Sequence, residues 1–199
     1  MSIDPDASTT SAASFRRRLL DGLEQSIRER GLAQTQISDI VRNAKTSKRT
    51  FYECFASKTA CFEDLIDQWG RDILVAVEAT IDVHAPWDRQ VDQTVDAYLS
   101  VLAAKPELTV TVTRELPALG ERGIELQEQD IDRYVGLMME LTRNDAMRSA
   151  GVEPVDQETA AMLIGGVAEI LDRANREGRP PRSVGPTMKR VIKRVIGPH

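Results

Sequence analysis

In the stretch AKTSKRTFYECFASKTA, residues 44–60, four cations (Lys45, Lys48, Arg49 and Lys58) stand against one carboxylate, Glu53, around a tight cluster of Phe51, Tyr52 and Phe55. Lysine and arginine at this spacing can neutralise phosphates, and Lys48 or Arg49 can donate to the O6 and N7 edge of guanine. The aromatics supply what such a surface needs behind it, an apolar anchor on a short polar segment.

The residue types that do catalytic chemistry are sparse by comparison. Cys54 and Cys61 lie seven positions apart without a CxxC pattern, His84 falls in a loop bounded by Pro86, and His199 is the last residue. No local spacing assembles a metal-ligand set or a nucleophile with its base, and both cysteines read as small packed thiols of a reducing compartment. Glu115 and Glu121 flank a helix break and share no face. The expectation is therefore a chain that is not an enzyme, with no catalytic residue, no metal and no cofactor.

Net charge argues against nucleic acid, and its distribution argues for it. The 199 residues carry a formal charge of -5. Residues 1–60 hold 10 Lys/Arg against 7 Asp/Glu, whereas residues 61–199 hold 16 against 24. A basic head is joined to an acidic body. No apolar run approaches the roughly 18 to 20 residues of a membrane helix, and MSIDPDASTTSAAS lacks the basic and apolar parts of a signal peptide. A cytoplasmic protein without a membrane partner is expected, with residues 1–13 as a disordered tail.

Helical periodicity must position the cations. From Phe15, apolar residues recur at Leu19, Leu20, Leu23 and Ile27 up to Gly31, a residue that tolerates the left-handed end of a helix. Thr35 is expected to cap a second helix over 36–44, with Ile37, Ile40, Val41 and Ala44 inward. Ser47 caps a third over 47–53, and Ser57 a long fourth with Phe62, Leu65, Ile66, Trp69, Ile73 and Val77 on one stripe. Pro86 and Pro106 open two further helices. After a break at Pro117 and Gly120, one long helix carries Ile124, Ile131, Tyr134, Val135, Met138 and Leu141 inward and ends near Gly151 and Pro154. Asp156 caps the next, and EGRPPRSVGP precedes the last. The fold class is all-α with about nine helices and no convincing strand. The domains are a three-helix head over 14–56 and a helical body over 57–199.

The second and third helices, joined by Lys45 and Thr46, have the proportions of a helix-turn-helix, whose second helix enters the DNA major groove. The run TQISDIVRNAKTSKRTFYECFASKTACFEDLI resembles the N-terminal domain of the tetracycline-repressor (TetR) family of bacterial transcription regulators. The likeness lies in Thr35, Ala44, Ser47, the triplet Thr50-Phe51-Tyr52, and Phe55, Ser57 and Lys58 ahead of the long helix, and it spans about residues 14–66. It implies a ligand-responsive regulator, a repressor in the family's usual mode, that binds a palindromic double-stranded operator as a homodimer and is released by a small effector. It implies phosphate contacts from the Tyr52 hydroxyl and Lys58, and a backbone contact from Thr35. Base reading falls to Lys45, Lys48, Arg49 and Thr50, with Ser47 heading the recognition helix. The turn departs from the family, which has Ala-Gly-Val-Ser where this chain has Ala44-Lys45-Thr46-Ser47, so an L-residue stands where a permissive backbone is usual. Cys54 also stands where a polar residue is common. Arg16, Arg17 and Arg18 either follow the minor groove or solvate a helix start.

For the acidic body the resemblance implies a ligand chamber and a dimer interface. Segments near 156–177 and 184–196 would pair with their symmetry mates through Leu163, Val167, Ile170, Val191, Ile192 and Val195, with Gly165 and Gly166 allowing close approach. The apolar stripes put forward Trp69, Tyr98, Tyr134, Met138 and Met162 as pocket residues for a hydrophobic or amphipathic effector. The competing reading is an all-helical adaptor that binds protein without binding DNA.

Overall fold

The computed structural model describes residues 5–198, with side chains from residue 13 onward. Among the described residues the chain forms ten α-helices and no strand. They are α1 (Pro5–Gln34), α2 (Ile37–Asn43), α3 (Lys48–Cys54), α4 (Lys58–Glu78), α5 (Trp87–Ala104), α6 (Pro106–Glu115), α7 (Glu121–Leu141), α8 (Asp145–Ser149), α9 (Gln157–Arg176) and α10 (Gly185–Ile196). Short 3₁₀ turns at Leu116–Leu119 and Pro181–Val184 precede α7 and α10.

Two expectations about element bounds are corrected here. Helix α1 begins at Pro5, so residues 5–13 of the expected tail are helical, while residues 1–4 of it lie outside the described residues. Proline suits a first helical turn and Ala7, Ala12 and Ala13 are strong helix formers, a propensity that carries no apolar stripe to announce it. The single long helix expected after Gly120 is two, because the Asn144 side chain accepts from the Met147 N–H at 3.0 Å and starts α8. Gly31, the expected helix end, is non-helical at φ 77, ψ 162 and kinks α1 before its last residues.

The chain forms two compact units, one up to Trp69 and one from Gly70 on, so the division falls inside α4 and not at its start. The reason is in the side chains: Cys61, Phe62, Leu65, Ile66 and Trp69 of α4 are all buried in the first unit's core. That core also takes Leu19, Leu23 and Ile27 from α1, Ile40 from α2, Phe51 from α3 and Phe55 from just after it. Each such apolar side chain contributes roughly 1.5 to 3 kcal/mol on burial. At Gly22 α1 presses on α2 so closely that a Cβ would meet the Ile40 carbonyl oxygen at 2.6 Å.

In the second unit α7 packs on α9, α10 on α5, and α6 on both α5 and α9. Lys189 and Lys193 of α10 pair with Asp96 and Asp92 of α5, each at 2.7 Å. Gly123 lets α7 start against the preceding 3₁₀ turn, where a Cβ would sit 2.0 Å from the Leu116 carbonyl oxygen.

Candidate nucleic-acid interface and helical cavity

The end of α2 decides where α3 points. The Thr46 N–H bonds the Val41 carbonyl at 2.9 Å and the Lys45 N–H bonds the Arg42 carbonyl at 3.1 Å, the paired bonds of a Schellman helix end. Two other helix ends are built the same way, with Gly151 and Gly178 in the left-handed position at φ 79 and φ 68. In the first unit that position is taken by Lys45 at φ 51. The departure seen in the sequence has therefore not altered the turn; the lysine adopts the glycine's conformation. Arg18 of α1 closes over it, with one guanidinium nitrogen donating to the Ala44 and Lys45 carbonyls at 2.6 Å each.

Beyond the turn, the Ser47 hydroxyl oxygen accepts from the Thr50 N–H at 3.1 Å and caps α3 as expected. Phe51 and Phe55 face the core, their rings 5.7 Å apart. Tyr52 is 59% exposed and stands edge-on to Phe51 at 5.5 Å, so its hydroxyl points away from the core that holds the helix. Lys45, Ser47, Lys48 and Arg49 are exposed and Thr50 is half-buried. Arg49 reaches back along the helix, its Nε donating to Glu53 at 2.9 Å.

Two residues expected at the DNA surface are engaged elsewhere. Thr35 is buried, and its hydroxyl donates to the Gly31 carbonyl at 2.7 Å, leaving Gln36 to cap α2 with Asp39 accepting from the Gln36 N–H at 3.0 Å. Lys58 is half-buried and donates from Nζ to the Leu32 and Thr35 carbonyls, each at 2.9 Å. These bonds satisfy one carbonyl in the last turn of α1 and one in the link to α2, and occupy two of the ammonium's three donors.

Several polar side chains that sequence reasoning passed over stiffen this unit. Arg16 pairs with Asp64 at 2.7 Å, donates to the Cys54 carbonyl at 3.2 Å and lies 4.6 Å over the Phe55 ring, so it serves the fold and not a minor groove. Asp39, buried, takes Arg42 at 3.0 Å and Arg30 at 3.3 Å. The backbone hydrogen bond from Gln36, with the two arginines behind it, holds the Asp39 carboxyl below its usual range. Of these pairings only the Gln36-x-x-Asp39 cap and the i,i+3 pair of Asp39 with Arg42 are signalled by local spacing. Burial pushes the Cys61 thiol up to about 12, which makes it an inert packed thiol.

The second unit encloses a cavity of about 210 Å³ with a mostly aliphatic wall. Tyr98, Tyr134 and Met138 line it, and the two phenol rings meet edge to face at 5.7 Å. The other two residues expected there are elsewhere: Trp69 is buried in the first unit, and Met162 is 64% exposed on α9. An apolar stripe does not distinguish a wall of a cavity from a core or an outer face, which is why the two were grouped with the rest. The expected dimer residues also divide. Leu163 and Ile192 are buried within the chain and Val167 and Ile192 line the cavity, so these three face inward. Ile170 is half-buried, while Val191 and Val195 are 42% and 36% exposed. Gly165 and Gly166 lie on open surface, with nothing near the place of a Cβ.

Among known families, the model of bacterial regulatory proteins of the tetR family matches residues 19–65. The matched residues run from α1 into α4, which is where the turn, the exposed α3 and its aromatic anchors lie. Solved structures share the fold over 88% to 96% of the chain. The fatty acid degradation regulator FadR of Bacillus halodurans has a TM-score of 0.69 at 16% identity, covering 96% of each chain. FadR of Bacillus subtilis, solved in complex with stearoyl-CoA, has a TM-score of 0.65 at 18% identity, covering 88% of this chain and 96% of its own. A Mesorhizobium loti protein described as a TetR-family transcriptional regulator has a TM-score of 0.72 at 16% identity, covering 94% of this chain and 98% of its own. No curated protein is detectably similar in sequence. No described helix is long and apolar enough to cross a membrane.

Proposed function

We propose that the chain is a ligand-responsive transcription regulator that binds a palindromic operator as a homodimer, represses from it, and leaves it when a small hydrophobic effector enters the cavity. The observation that carries this reading is the TetR-type α3. It is short, anchored from behind by buried Phe51 and Phe55, and presents Lys48, Arg49 and Tyr52 to solvent within residues 44–60, where four cations stand against one carboxylate in an otherwise acidic chain. Lys45, Lys48, Arg49 and Thr50 read bases, and Ser47 and the Tyr52 hydroxyl contact the backbone around them. Lys58 offers its remaining N–H to phosphate; Thr35 acts only by fixing the start of α2.

Release follows from α4, which begins in the head at Lys58 and ends in the second unit, where its Val77 lines the cavity. A ligand that fits better after a shift of α4 moves the two α3 helices of the dimer away from the spacing of about 34 to 36 Å that successive major grooves require. Operator and effector then weaken each other by the same factor. FadR's complex with stearoyl-CoA is a precedent for a ligand with an apolar chain on this fold, and the aliphatic wall supports an apolar ligand here.

The test is selection of fragmented genomic DNA on the purified chain, followed by competition with Lys48→Ala and Tyr52→Phe variants. One palindromic sequence should be enriched, and both variants should weaken it. Enrichment of no sequence at low salt would leave the all-helical adaptor as the better reading.

A further inference from the structure

The cavity of the second unit carries a chemical preference in what its wall leaves unbonded. Seven of the lining residues are polar and none is a lysine, arginine or histidine. Most of the polar groups are already committed to the fold. Gln90 gives its amide protons to the Val83 and Ala85 carbonyls at 3.1 and 2.8 Å, and its oxygen accepts from Asn144 at 2.7 Å. The Thr94 hydroxyl donates to the Gln90 carbonyl at 2.8 Å. The Thr142 hydroxyl donates to the Met138 carbonyl at 3.1 Å and accepts from the Val155 N–H at 3.1 Å. Asp130 is paired with Arg133 at 2.7 Å, and Gln127 is exposed.

Apart from the exposed Gln127, two groups remain, the hydroxyls of Tyr98 and Tyr134. Among the described residues neither has a hydrogen-bond partner, and neither oxygen is sealed in by protein. Their rings are fixed against each other at an interplanar angle of 75°. Burial pushes both phenols above the usual tyrosine range, so they stay neutral donors. An anion entering here would find a carboxylate and no cation on the wall. A cation would find a carboxylate already matched by Arg133. Either ion would lose hydration without a free opposite charge on the wall to offset it, a cost that a neutral molecule avoids.

We infer that the cavity binds an uncharged lipophilic molecule bearing a carbonyl or hydroxyl oxygen, and that Tyr98 and Tyr134 hold that oxygen. The inference sharpens the effector class of the regulator reading, but binding is measured without DNA, so the two can fail separately.

Isothermal titration of the full chain with three probes that share a decyl-type chain tests it: 2-decanone, decanoate and decyltrimethylammonium. The ketone should bind at least about tenfold more tightly than either ion, and Tyr98→Phe with Tyr134→Phe should weaken the ketone by about three- to tenfold. An unchanged melting temperature in the phenylalanine variant assigns the loss to the hydroxyls and not to the packing. Equal or tighter binding of an ion, no binding of the ketone, or phenylalanine substitutions without effect on it overturn the assignment. DNA selection decides the regulator reading independently.

Discussion

Lys45 is the only non-glycine residue at positive φ among the described residues, and it sits where the recognition helix takes its direction. An L-residue in that conformation costs roughly 1 to 2 kcal/mol, which glycine avoids. Arg18, bonded to the carbonyls on both sides of the strained residue, holds the turn that the sequence by itself makes costly. It is a positioning residue. Arg18→Gln should weaken operator binding by about three- to tenfold through lost charge-assisted hydrogen bonds, yet leave the salt slope of binding unchanged. Lys45→Gly in the same chain should restore the melting temperature lost in Arg18→Gln, because the turn then holds without a brace, while the base contact of Lys45 is lost. A slope reduced by about 0.9 in Arg18→Gln would instead make Arg18 a phosphate contact.

At the scale of the helix, α2 is set by its start as much as by its end. Asp39 binds the Gln36 N–H and both Arg30 and Arg42, and its carboxyl is held below the usual range. A depressed carboxylate stabilises the fold above its unfolded value of about 3.9 and loses that contribution as pH falls through the folded value. Asp39→Asn should therefore lower the melting temperature at pH 7, and the gap from the unaltered chain should close as the pH approaches 3. A gap that is constant with pH contradicts this role for the charge. The helices themselves were legible in the sequence where a stripe and a cap coincide, as at Ser47 and Phe51 or Asp156 and Leu163. Caps were misread where two candidates adjoin: Thr35 looked the better cap on residue type, yet its hydroxyl finds the Gly31 carbonyl and Gln36 takes the place. Pairings across helices, such as Arg18 to the turn and Lys58 to the end of α1, have no local pattern and needed the fold. The same limit explains the pocket and interface residues, because Met162, Tyr134 and Trp69 share an apolar stripe's signature and differ only in what surrounds them.

At the scale of the molecule, the proposed homodimer would use the outer faces of α9 and α10, where Met162, Val191 and Val195 are exposed and Gly165 and Gly166 lie open. Val191→Asp with Val195→Asp should halve the mass seen by light scattering without unfolding the chain, and an unchanged mass would remove these faces from the interface. The central claim is that the TetR-type head binds DNA through several phosphates while α3 reads the groove. The most direct measurement is the affinity for the selected operator as a function of salt, in the unaltered chain and in Lys48→Ala. The expected log-log slope is steep, about -0.9 for each phosphate neutralised, with a loss of affinity in Lys48→Ala that is larger for the operator than for unrelated DNA. A flat slope, or equal losses on operator and unrelated DNA, would contradict it.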